Sequence, residues 1–143
     1  MKYIYLENWK KEKKLASLNY STKLAVIDNE SLTKRLSKEK NSNFRVIVRE
    51  QYLVHSKNIN HIQSLLNVQG IGVYRSVKLE AKNFKNVYAK TFLLAKTLKG
   101  KERYIRILGS KSLGSYFLST KRFRKKDVFY TVGDEMVHRL IIY

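Results

Sequence analysis

The chain has 143 residues, 43% hydrophobic and 12% aromatic, with a formal net charge of +19 and neither cysteine nor proline. That length fits one domain able to bury its own core. Without cysteine there is no disulfide, thiol nucleophile or Cys-ligated metal site, and no run of about 18 apolar residues reads as a membrane-spanning helix.

The opening MKYIYLENWKKEKK has neither the apolar centre nor the small-residue cleavage site of a secretory signal. A charge of +19 fits an anionic partner, either a nucleic acid or a small ligand steered by the field. It equally fits a coding bias. The basic residues are dispersed, and they travel with the Asn, Ile, Tyr and Phe that AT-rich codons supply.

In chain order, DNESLTKRLSKEK predicts a helix, with Asp28 as N-cap, Glu30 in the first turn, and Leu32 and Leu36 on one face. Lysines close it where the helix dipole favours cations. Beyond Asn43 the apolar period becomes two, and FRVIVREQYLV (44–54) predicts a strand. The stretch SKNINHIQSLLNVQG reads as a long connection with at most a helical turn, and residues 56–68 are a candidate lid. IGVYRSVKLEA and NVYAKTFLLA predict two strands joined as a hairpin through KNFKN. GKERYIRIL and SLGSYFL predict short helices. DVFYTVG and MVHRLIIY predict two more strands, turning at Gly133-Asp134. The expected fold is therefore α+β: a single domain over residues 1–143, with an antiparallel β-sheet flanked by helices.

The segment ILGSKSLGSYFL spaces Gly109 and Gly114 as a phosphate-binding loop does, but Ser115-Tyr116 stands where that loop needs Lys and Ser/Thr. Two tight turns with positive φ at the glycines are the plainer expectation. Along VYRSVKL, Arg75 alternates in phase with Val73, Val77 and Leu79, which points it to the buried side. A buried arginine needs an anion, either a local carboxylate or a ligand. The three histidines, His55, His61 and His138, are scattered and form no metal-ligand pattern.

LGSKSLGSYFL resembles the Leu-Gly-x-x-x-Leu-Gly-x-Tyr-Leu-Phe segment of the chorismate lyases, and further segments follow in the family's order. ESLTKRL is similar to its Ser-Met-Thr-Lys-Arg-Phe helix. VIVREQYL, VYRSVKL, VYAKTFL and DVFYTVG are similar to its strands. The resemblance runs from about Lys23 to Tyr143 and extends to plastid-encoded algal members, which implies the plastid stroma, or else a bacterial cytoplasm.

The resemblance implies removal of pyruvate from chorismate to leave 4-hydroxybenzoate, with no cofactor and no metal. It implies a monomer that binds a small dicarboxylate or its aromatic product. It assigns Arg75 to clamp a carboxylate, Leu32 and Leu113 to line the ring, and Lys90 to the place of a second arginine. Arg49 matches a further arginine of the pattern; paired to a nearby carboxylate it would be purely structural. Core packing is the competing role of Leu32 and Leu113, and a local ion pair that of Arg75.

The family's general acid is a Glu on a final strand. This sequence ends at Tyr143, before any position that corresponds, so the catalytic residue is left unassigned; Glu80, Asp127 and Glu135 are carboxylates within reach by chain order only. Three readings stay open. One is a lyase and one a non-catalytic binding module of the same fold. The third is a basic nucleic-acid-binding protein, against which the absence of any helix-turn-helix, aromatic RNP-type or zinc-ligand pattern argues.

Overall fold

The computed structural model describes residues 32–38, 43–59, 68–82, 86–119, 123, 127–133 and 136–142. Helix α1 (Leu32–Lys38) is followed by strand β1 (Arg45–His55) and a 3-10 turn over Ser56–Asn58. Strands β2 (Ile71–Glu80) and β3 (Val87–Leu94) come next, then 3-10 segments over Ala95–Thr97 and Gly100–Ile107. Helix α2 (Leu113–Ser119) and strands β4 (Asp127–Gly133) and β5 (Met136–Ile142) complete the order. The expected N-cap Asp28 and first-turn Glu30 lie outside the described residues, as do residues 60–67 of the candidate lid and the turn residue Asp134.

Every strand pairing is antiparallel. β2 is central between β1 and β3, while β4 pairs with β5 as a separate two-stranded sheet. The strands thus form two sheets among the described residues rather than one continuous sheet. The second strand is buried along most of its length, as a central strand must be. Gly72 is fixed in it by crowding. A Cβ there would stand 2.6 Å from the backbone oxygen of Leu93 and 2.5 Å from the Phe92 ring.

One face of β2 carries Val73, Arg75, Val77 and Leu79, and the helical segments pack on it. Leu36 of α1 joins Val77 and Leu79 in one cluster. Leu113 and Phe117 of α2 join Val73, Leu98 and Ile105 in another. Fully burying one such side chain stabilises by about 1.5–3 kcal/mol. Segment 100–108 is helical as expected, though as a 3-10 helix. Its Glu102 carboxylate is buried and accepts a hydrogen bond from the Lys99 backbone N–H at 2.9 Å, capping the segment's first turn.

The register of β1 against β2 slips once. Val48 pairs with Val77, yet Glu50 pairs with Ser76, so Arg49 is the extra residue of a β-bulge. A one-residue insertion exchanges the faces of everything beyond it. Val46 and Val48 share the Arg75 face before the bulge, and Gln51 and Leu53 share it afterwards.

The connection after β1 is pinned at its base. Ser56 N–H donates to Gly70 O at 2.9 Å, and Gly70 N–H donates to Ser56 Oγ at 3.3 Å. Ser56 is buried. That neck is what the structure describes of the candidate lid.

Candidate functional site

Arg75 is the centre of the site. It is 2% exposed, and none of the described groups holding it is an anion. Nη1–H donates to Gln51 Oε1, its direct neighbour across β1. Nη2 donates to Gly109 O at 2.7 Å and to Lys111 O at 3.0 Å. Among the described residues the Nε–H and the second Nη1–H have no protein acceptor, and no carboxylate pairs with the guanidinium. Burial lowers its pKa from the ordinary value, with no opposing effect from a carboxylate. The sequence expectation that Arg75 points inward therefore holds, and the local ion pair is not found among the described residues.

The Leu-Gly segment answers the question its spacing raised. A phosphate loop turns N–H groups towards an anion. Here the turn after Ile107 directs two carbonyl oxygens at a cation. Gly109 adopts φ +57°, the left-handed conformation a glycine takes at little cost, and Lys111 N–H closes the turn on Leu108 O at 3.2 Å. The expected positive φ at Gly114 is not found, because α2 starts at Leu113 and Gly114 is its second residue.

Gln51 is held from both ends of its amide. Its Nε2 donates to Arg106 O at 2.5 Å, which leaves Oε1 to face Arg75. Sequence reasoning missed this residue. Its signal was the break in alternation after Arg49, where apolar side chains fall on both parities in QYLV.

An open cleft of about 720 Å³ lies on the same face of the sheet. Its walls include Thr33, Phe44, Val46, Ser110, Ser112 and Tyr116. A 2.6 Å hydrogen bond between Thr33 Oγ1 and Ser112 Oγ ties α1 to the carbonyl-bearing turn. That turn forms part of the cleft wall, and Arg75, which does not line the cleft, sits behind it. Lys111 and Arg45 also border the cleft; Arg45 is paired with Glu80, and Lys111 adds positive charge to the wall.

The other expected residues fall as follows. Leu113 is buried directly beyond the turn, in the cluster with Val73 and Phe117. Leu32 opens α1, and its side chain lies outside what is described. Lys90 is not brought to Arg75. It pairs with Ser76, and successive residues of a strand face opposite sides, so it projects from the other face.

Arg49 also sits on that other face, its guanidinium 5.9 Å from the centre of the Tyr88 ring rather than against a carboxylate. Glu80 accepts from Lys78 Nζ and, at 2.9 Å, from Arg45 Nε; these hydrogen bonds hold its pKa below the ordinary carboxylate value. A carboxylate kept ionised in this way is unsuited to donating a proton at neutral pH. The side chains of Asp127 and His138, and the whole of His61 and Glu135, lie outside the described residues, while His55 Nδ1 accepts from Lys57 N–H at 3.2 Å. No cluster of metal-ligating side chains occurs among the described residues, and no described helix is long and apolar enough to cross a membrane.

The fold and site define a single small domain, mostly antiparallel sheet, with a guanidinium buried among neutral acceptors. The family model for chorismate lyase matches residues 6–141, and the chain belongs to that family. No curated protein and no solved structure matches it.

Proposed function

We propose that the chain binds chorismate through Arg75 and eliminates pyruvate from it, leaving 4-hydroxybenzoate. The observation that carries this reading is a charged side chain, 2% exposed, whose described partners are all neutral. An ionised group is costly to bury without a counter-charge. A ligand carboxylate supplies that charge, and charge-assisted hydrogen bonds are roughly twice as strong as neutral ones. The carboxylate takes the Nε–H and displaces one of the two turn carbonyls from Nη2, which gives the paired geometry a guanidinium offers.

Leu113, buried beyond the turn, and Leu32, from α1, are proposed to meet the ring. Lys111 on the cleft wall favours the second carboxylate of the substrate. In the reaction the hydroxyl-bearing ring carbon gives up its hydrogen as a proton, the electron pair forms the third ring double bond, and the bond from the adjacent carbon to the ether oxygen breaks. Enolpyruvate leaves and ketonises, and the ring becomes aromatic. Positioning of the dianion is what the described residues contribute.

The test is incubation of the purified chain with chorismate, with chromatography for 4-hydroxybenzoate and an Arg75→Ala control. Product that vanishes in the control supports the lyase. Absence of product, with 4-hydroxybenzoate still raising the melting temperature, identifies a binding module of the same fold. Absence of both product and thermal shift removes the functional reading.

A further inference from the structure

The geometry points to the Arg49 bulge as a specificity device: it places Gln51 rather than Glu50 beside Arg75, and so reserves the buried guanidinium for a ligand carboxylate. This rests on the carboxylate-anchor reading above. Counting back from the Val48–Val77 pair without the bulge, Arg49 would face Ser76 and Glu50 would stand opposite Arg75. The side chains of directly paired residues lie on one face within contact distance. Arg75 would then be neutralised by its own sheet.

With the bulge, Glu50 pairs with Ser76 and projects from the opposite face. The position beside Arg75 passes to an amide of the same length and no charge. The amide is also oriented, since only its NH2 group can donate to Arg106 O, at 2.5 Å. On the other flank β3 presents Thr91, a second neutral partner. Gln51 is thus a positioning residue. It holds Arg75 in place with a hydrogen bond while leaving its charge uncompensated, and a glutamate there would do the first and destroy the second.

The experiment compares 4-hydroxybenzoate with its neutral isostere 4-hydroxybenzamide, by calorimetry at pH 7 on the full chain. The wild-type protein is expected to prefer the carboxylate by about tenfold or more, the effect of one charge-assisted hydrogen bond. Gln51→Glu is expected to abolish the preference while leaving the amide's affinity within about threefold of wild type. Gln51→Met, neutral and of similar volume, keeps the preference while both affinities fall, because the hydrogen bond that holds Arg75 is lost. Glu50→Gln, on the far face, leaves both affinities unchanged.

Thr91→Asp places a carboxylate on the other flank without touching Gln51, and it is expected to abolish the preference as well. That variant keeps the test decisive if Gln51→Glu does not fold. Retention of the carboxylate preference by a folded Gln51→Glu or Thr91→Asp protein overturns the role of the bulge and leaves the anchor reading intact. A wild-type protein with no preference between the two ligands overturns the anchor reading, and this inference with it.

Discussion

The two faces of the β1–β2–β3 sheet treat charge in opposite ways. On the covered face, Arg75 is packed among Val73, Val77 and the helical segments, and its described partners are carbonyl and amide oxygens. On the other face Glu80 is shared by Arg45 and Lys78, Arg49 lies over Tyr88, and the Tyr52 and Tyr88 rings are 47% and 49% exposed. Where that face is open to water, Glu80 is compensated by Arg45 and Lys78, and water makes the compensation weak. The covered face leaves one cation uncompensated among the described residues, where a partner matters most. Pairing charges where it hardly matters and withholding a partner where it does is the arrangement expected of a binding site rather than of a stability device.

The contrast can be broken from the covered side first. Leu113→Ala removes a buried side chain between α2 and Val73, beside the turn that holds Arg75. It is expected to lower stability by about 2–5 kcal/mol in denaturant unfolding. Gly109→Ala comes next. The added Cβ meets no atom within 4 Å, so the φ of +57° alone sets a cost of about 1–2 kcal/mol. Weaker ligand affinity is expected to accompany it, because the strained residue bears one of the carbonyls on Arg75.

Changes on the exposed face are smaller. Arg49→Ala removes the stacking on Tyr88 and is expected to cost no more than about 1 kcal/mol, with the bulge retained, since the extra residue rather than its side chain makes the slip.

Glu80→Gln is read from the pH dependence of unfolding. The folded pKa of Glu80 is depressed, so its contribution is fully present above the unfolded value near about 4.3. It is lost as pH falls through the folded value. The variant is expected to flatten the acid limb of the stability curve and leave the neutral region almost unchanged. An acid limb identical to wild type would show that the hydrogen bonds from Lys78 and Arg45 do not shift the group in solution.

The strands were legible because each keeps a period of two or a β-branched run. Val128 and Val132 fall in one such run and Phe44, Val46 and Val48 in another, and the observed strand limits lie within a residue or so of those read from the pattern. Arg75 was legible for the same reason, since its parity matches that of the valines beside it. The bulge was not. An inserted residue leaves composition and propensity intact and changes only phase, and β1 has apolar residues on both phases after Arg49. The face of Lys90 was hidden for a related reason. A matched motif fixes the position of a residue along β3, but its face is set by register, and the register pairs Lys90 with Ser76 instead of Arg75. The carbonyl cradle was also hidden, because backbone acceptors have no residue type to announce them.

The neck formed by Ser56 and Gly70 has a consequence for engineering. Two hydrogen bonds and a buried serine join β1 to β2 independently of what the chain does between them. Closure entropy grows only logarithmically with length, by about 0.6 kcal/mol per doubling. The intervening segment is therefore the place to splice in an affinity handle or a fluorescent reporter, with the hydrogen-bonded register of the sheet shielded from the length of the insert.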